Sequence, residues 1–179
     1  YFADKINCPV YATGFAKSLI ENRLKEFGFL DKINIITIEN DKDIKLNNFN
    51  LSFISTAHSI PEPHAILIKT KYGNLLHTAD WKIDFNPTIG EQIDQKQFEK
   101  IGNEGLLALI GDSTNADIPG FSKSELEVRD ELIKIFSRYN KRIVITCFSS
   151  NIERMESIFI AAKKNNRKVA LVGRSMKKT

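Results

Sequence analysis

Only two cysteines occur in 179 residues, Cys8 and Cys147, and neither has a CxxC partner. That excludes a disulfide-stapled scaffold and a thiolate-rich metal site. It predicts reduced core thiols, each in or beside an apolar strand, in a cytosolic protein, with a disulfide between the two as the less favoured alternative. Long hydrophobic runs are missing as well. No stretch approaches the ~20 apolar residues needed to cross a bilayer, and none reads as a signal peptide. There is no initiating methionine: the chain begins Tyr1-Phe2-Ala3 and stops at Met176-Lys177-Lys178-Thr179, just after a strand-like run. Both ends read as cut, so the expectation is an internal segment of a longer protein. Internal repeats and low-complexity tracts are absent. What remains, 42% hydrophobic and 27% charged residues, is ordinary globular material. A net charge of +4 permits a nucleic-acid partner without requiring one.

The chain is organised around residues 51–81, LSFISTAHSIPEPHAILIKTKYGNLLHTADW. An alternating strand with Phe49, Leu51 and Phe53 on one face runs into Thr56-Ala57-His58. A second strand over 65–70 turns at residues 71–74, and a third over 75–78 ends at Asp80. His58 and Asp80 thus each follow a strand, where a rigid sheet holds a side chain in place. One imidazole and one carboxylate so placed read as part of a metal site, though two ligands do not close a coordination sphere.

Around this centre the chain alternates. Residues 8–12 predict a short buried strand, and Thr13 an N-cap for a helix that Gly28 stops. Strands are expected over 33–38 and 44–46, with a polar turn at 39–43 between them. The span 81–90 reads as loop, and 98–101 as a short helix ending at Gly102. Residues 106–111 form an apolar run expected of a strand buried on both faces. Ser122 and Glu125 predict a capping box for a helix to about Tyr139. A strand over 142–148, a helix over 151–164 and a strand over 168–173 complete the pattern. The later alternation predicts a parallel three-layer α/β sheet, with a domain boundary near 112–122.

Each candidate residue has two readings. His58 is either a metal ligand or a strand-end histidine bonded to a backbone carbonyl. Asp80 is either a ligand or a turn-stabilising residue. Asp112 stands at a strand's C-terminal end, where ligands bind in open α/β sheets, or caps the following turn. Ser149, Ser150 and Asn151, between a strand and a helix, either hold a phosphate or cap the helix. Arg154 and Arg174 either pair with phosphate or are solvated. Trp81 and Phe148 either stack on bases or pack in the core. His64, at a strand start, is expected to be exposed, and His77 is read as a structural histidine.

Five ordered motifs carry a resemblance over essentially the whole chain: Thr56-Ala57-His58-Ser59-Ile60-Pro61-Glu62, His77-Thr78-Ala79-Asp80-Trp81-Lys82, Asp112-Ser113-Thr114-Asn115-Ala116, Phe148-Ser149-Ser150-Asn151-Ile152 and Val172-Gly173-Arg174-Ser175-Met176. Together they resemble bacterial ribonuclease J, of the β-CASP branch of the metallo-β-lactamase superfamily. The resemblance implies an α/β fold: part of a metallo-β-lactamase αββα sandwich over 1–111, followed by the start of a three-layer β-CASP domain over 112–179. It implies two zinc ions (Zn2+) activating water against RNA phosphodiesters, with both endonuclease and 5′-to-3′ exonuclease activity and a preference for 5′-monophosphate ends. A cytoplasmic, membrane-free, homo-oligomeric protein is expected. In that scheme His58 binds one zinc, Asp80 bridges both, and Asp112 orients a downstream histidine ligand. Ser149, Ser150, Asn151 and Arg174 stand as the RNA- and phosphate-binding candidates.

The departures are specific. The family's HxHxDH motif does not occur in this sequence, and the resemblance places it just upstream of Tyr1, with further histidines beyond Thr179. The chain alone is therefore expected to bind zinc poorly and cleave little. Ala79 replaces a glycine common in the family, and Glu153 a frequent histidine. The competing expectations are another hydrolase of the metallo-β-lactamase fold and a non-catalytic RNA-binding paralogue subunit.

Overall fold

A computed structural model describes residues 5, 7–39 and 42–178. The expectations at residues 1–3 and 179, and part of the 39–43 turn, lie outside the described residues. The first unit pairs β1 (Val10–Ala12) in parallel with β2 (Ile35–Thr37). Between them runs α1 (Gly14–Phe27), started by the Thr13 hydroxyl accepting from the Ala16 N–H and ended by Gly28 at φ 71°. Both helix signals are where the sequence put them. A left-handed terminator costs glycine nothing because it lacks a Cβ.

The central sheet is five-stranded in sequence order: β3 (Ile44–Leu46), β4 (Phe49–Ser55), β5 (His64–Thr70), β6 (Gly73–His77) and β7 (Ala108–Ile110). β3 to β6 are antiparallel, joined in two cases by two-residue turns, and β7 adds in parallel to β6. The face that buries itself carries Ile54, Ala65, Leu67 and Leu76, packed with Ile101 of α2 (Gln95–Glu104). Ile54 sits opposite Ala65 and Leu67 opposite Leu76. Burying each large aliphatic side chain contributes about 1.5–3 kcal/mol. The Phe49, Leu51, Phe53 face is the less buried one.

α3 (Glu125–Arg138) and α4 (Ile152–Lys164) pack together through Phe136, Ala161 and Ala162, with Leu132, Ile133, Ile143 and Ile158 around them. α5 (Arg174–Lys178) follows.

Several expectations are corrected. Residues 142–148 and 168–173 carry strand-like sequence but no ladder, because neither meets a hydrogen-bonding neighbour among the described residues. Instead they line a common cavity of about 210 Å³ over α4. The parallel sheet expected there is therefore not formed. The 106–111 run is an edge strand, not one buried on both faces: Leu107, Leu109 and Ile110 are each at least half exposed. α2 begins at an Asp94 cap and runs through Gly102 to Glu104; the positive φ that ends it, 87°, is at Gly105 and not at Gly102. The α3 cap is Ser124, not Ser122, and Glu125 is drawn into a separate ion pair. Cys8 is exposed and Cys147 half-buried, both free, so neither is a core thiol. His64 is half-buried, its Nδ1 3.1 Å from the Glu62 carbonyl.

Candidate functional site

Strand direction alone gathers the candidates. β4 and β6 both run antiparallel to β5, and β7 runs parallel to β6, so the C-terminal ends of β4, β6 and β7 share one edge of the sheet. Residues 56–58, 78–82 and 111–115 emerge there. Hydrogen bonds then fix these loops to one another. The Lys82 N–H donates to the Ala57 carbonyl at 2.8 Å, and the Thr78 N–H to the Ile110 carbonyl at 3.0 Å. Thr78, fully buried, accepts from the Asp112 N–H at 3.0 Å and donates its hydroxyl proton to the Ala79 carbonyl at 2.8 Å. Ala79 itself sits at φ 52°, a left-handed conformation that explains why glycine suits this position.

His58 and Asp112 lie close enough for their charges to interact. The Asp112 carboxylate caps the following turn, accepting from the Thr114 N–H at 2.9 Å. The Thr114 donors first, then His58 and the Trp81 N–H, hold its carboxyl below the usual range. Capping and proximity to His58 are thus compatible. His58 Nδ1 faces the Ser59 hydroxyl at 3.1 Å, not a backbone carbonyl. Asp80 is exposed at the same strand end, two residues beyond Thr78. A cleft of about 580 Å³ opens here, lined by His58, Trp81, Asp112 and Phe121 among others. A second, of about 390 Å³, shares His58 and Lys82 and reaches Asn151 and Arg154.

The start of α4 grips the His58 loop. The N–H groups of Ile152 and Glu153 donate to the Ser59 carbonyl at 2.9 and 3.3 Å, and Asn151 caps the Arg154 N–H at 2.8 Å. These are the donors that a phosphate at residues 149–151 would use, and here protein acceptors take them. Ser149 is half-buried, Ser150 and Arg174 are exposed, and Arg154 makes a two-pronged pair with Glu125 at 2.5 and 3.0 Å. Trp81 packs against Phe98, with ring centres 5.8 Å apart, while Phe148 is 81% exposed. His77 accepts from the Ala79 N–H at 3.0 Å.

Sequence reasoning missed the residues that hold this arrangement. Glu153, 4% exposed, accepts from the Thr88 N–H and hydroxyl and from the Ile89 N–H. Asp84, 3% exposed, accepts from the Glu125 and Asn86 N–H groups and pairs with Lys82. Loop 82–89 is therefore the seat for the first turns of both α3 and α4. The Asn86-Pro87 turn was the available signal for Asp84, and nothing local signalled Glu153.

An imidazole beside carboxylates is the right donor chemistry for zinc. Among the described residues, however, no three His, Cys, Asp or Glu side chains are grouped so as to hold a metal ion. His58 and Asp80 alone would not close a coordination sphere.

Comparison with known proteins bears on what this site belongs to. Residues 140–179 match the family described as ribonuclease J, β-CASP domain. Ribonuclease J 1 of Streptococcus pyogenes is 38% identical over 178 residues, covering 99% of this chain and 32% of the relative. Ribonuclease J of Sinorhizobium meliloti is 40% identical over 173 residues, covering 97% and 31%. The chain therefore spans about a third of the length of the curated relatives it matches. In fold, it resembles a crystal structure of a protein of unknown function from Enterococcus faecalis V583. The TM-score is 0.63 at 15% identity, covering 86% of this chain and 39% of that one. Identity of 38–40% over 97–99% of the chain, together with the family match at residues 140–179, has one consequence: the chain is similar throughout to a segment of ribonuclease J.

Proposed function

We propose that the protein is a metal-dependent ribonuclease of RNA processing and decay. It hydrolyses RNA phosphodiesters as a 5′-to-3′ exonuclease and an endonuclease, and favours 5′-monophosphate ends. The observation that carries this reading is the convergence of His58, the Asp80–Trp81 loop and Asp112 at one sheet end beside a cleft of about 580 Å³. Residues 1–111 are read as part of a metallo-β-lactamase domain and 112–179 as the start of a β-CASP domain. The working protein is read as a cytoplasmic homo-oligomer. Among the described residues no helix is long and apolar enough to cross a membrane.

His58 and Asp80 are the proposed zinc ligands, and Asp112 is proposed to orient a downstream histidine ligand. A pair of zinc ions, when bound, lowers the pKa of a bound water and stabilises the charge that develops on the phosphoryl oxygens. The chain's own contribution is rigidity. Thr78 fixes the spacing between the two acidic loops, and the Ser59 carbonyl ties the His58 loop to α4.

The test is cleavage of 5′-monophosphorylated RNA by the protein expressed from its complete reading frame, beside its Asp80→Asn variant. Metal-held charge stabilisation amounts to several kcal/mol, so the substitution is expected to cost roughly a hundredfold or more. Asp80 is exposed, so unfolding should not change. An unimpaired variant overturns the site assignment. RNA binding without cleavage by the parent points to the non-catalytic subunit.

A further inference from the structure

The cleft beside His58 and Asp112 has a feature that the metal chemistry does not use. Phe121 lines it and is fully exposed, at a relative accessibility of 103%. The Pro119-Gly120 pair before it, with Gly120 at φ 106°, turns the chain where a Cβ would be strained. Ile118 and Ile83, 62% and 59% exposed, line the same cleft. Single exposed apolar side chains are ordinary, but several around one cleft mark a binding surface.

The rest of the lining says what it fits. Asn115 and Ser122 offer hydrogen-bonding groups, and His58 and Asp112 form the candidate reaction centre. A purely apolar partner surface would leave these groups unpaired. A nucleobase has a π-face for the ring and polar edges for the amide and hydroxyl. The volume, about 580 Å³, lies in the range of pockets that enclose a small organic ligand. A phosphodiester held at His58 also brings its neighbouring nucleoside to this cleft.

We propose that Phe121 is a stacking platform for the base next to the scissile phosphate, and that its cleft is a subsite for one nucleoside of single-stranded RNA. The proposal rests on the ribonuclease reading. Stacking on an aromatic side chain is sequence-tolerant, because every base has a π-face. The subsite therefore selects unpaired over paired RNA, not one base over another.

The experiment uses the protein from its complete reading frame and short 5′-monophosphorylated RNAs, with a single abasic nucleotide moved along the strand. Phe121→Ala is expected to raise KM about tenfold, with kcat and metal content held, and Phe121→Tyr to restore the parent value. An abasic nucleotide at one position should weaken the parent to the same degree and weaken Phe121→Ala no further. Two results overturn the proposal: a Phe121→Ala variant with the parent's KM, or one equally sensitive to abasic substitution at every position. Full exposure of the side chain makes misfolding an unsuitable explanation, and an unchanged unfolding midpoint checks it. A parent protein that cleaves no RNA sinks the ribonuclease reading, and this proposal with it. Cleavage by the parent with an indifferent Phe121 sinks the proposal alone.

Discussion

Thr78 and Asp112 stand 34 residues apart and are joined by a 3.0 Å hydrogen bond from the Asp112 N–H to the Thr78 hydroxyl oxygen. The same hydroxyl donates to the Ala79 carbonyl, so a single buried oxygen sets where both acidic loops leave the sheet. Asp80 lies two residues beyond Thr78 and His58 lies beside Asp112, so the spacing of all three candidates depends on it.

Thr78→Val keeps the shape and removes the hydroxyl. It should destabilise the fold by about 1–3 kcal/mol, the cost of leaving part-buried partners unsatisfied. Thr78→Ser should recover most of that. Urea unfolding of the three proteins checks the expectation, and a valine variant as stable as the parent would show that the loops are held otherwise.

Ala79 and Gly90 test the same backbone argument with opposite signs. Ala79 adopts φ 52° without being glycine. Ala79→Gly relieves a strain of roughly 1–2 kcal/mol, offset by about 0.4–1 kcal/mol of added unfolded-state entropy. A net gain of roughly 0 to 1.6 kcal/mol is expected, read as a higher midpoint in thermal unfolding.

Gly90 is the stricter case. At φ 81°, a Cβ placed on it would meet the Pro61 carbonyl oxygen at 2.6 Å, and that neighbour is backbone rather than a flexible side chain. Gly90→Ala should therefore cost about 2 kcal/mol or more, from strain plus the collision. Because Pro61 follows the His58-Ser59 segment, the substitution should also disturb that segment. Chemical-shift changes at His58 larger than those at His77 would register it.

These devices mark the limit of what the sequence discloses. Local signals were legible where local chemistry decides the outcome: the Thr13 cap, the Gly28 terminator, and the β5–β6 hairpin that delivers Asp80. Reading failed where a distant partner decides. Ser122 and Ser124 are equally good caps in isolation, and Glu125 looked like a capping-box residue until Arg154 and Asp84 claimed its side chain and its N–H. The runs at 142–148 and 168–173 have β-type composition, but a strand exists only with a neighbour, and composition cannot supply one. Residues 106–111 looked doubly buried because apolar runs do not reveal whether an edge is covered. Of the candidate site, the strand-end placement of His58, Asp80 and Asp112 was readable. The role of Glu153 was not, since its partners lie 64 and 65 residues away.

Glu153 and Asp84 should also give the fold opposite responses to acid. Burial raises the Glu153 carboxyl above its ordinary value of 4.5, outweighing the Thr88 and Ile89 donors, and the charge of Glu125 pushes the same way. The folded state then binds the proton more tightly than the unfolded one. Stability from this group is full below about pH 4.5 and is lost as pH rises through the folded value. Burial would also raise Asp84, but the Glu125 and Asn86 N–H groups and the Lys82 ammonium together hold it below its ordinary 3.8. Its contribution is present above that value and is lost as pH falls through the lowered one. Glu153→Gln keeps an acceptor oxygen for the Thr88 and Ile89 donors but cannot ionise. Relative to the parent, it should gain stability as pH rises past 4.5 and then level off. Asp84→Asn should show a deficit that grows from strong acid to about pH 4 and is constant above. Urea midpoints between pH 3 and 8 separate the two. A Glu153→Gln curve running parallel to the parent's throughout would mean that the buried carboxyl ionises in the fold as freely as in the unfolded chain, and that its three donors fully offset its burial.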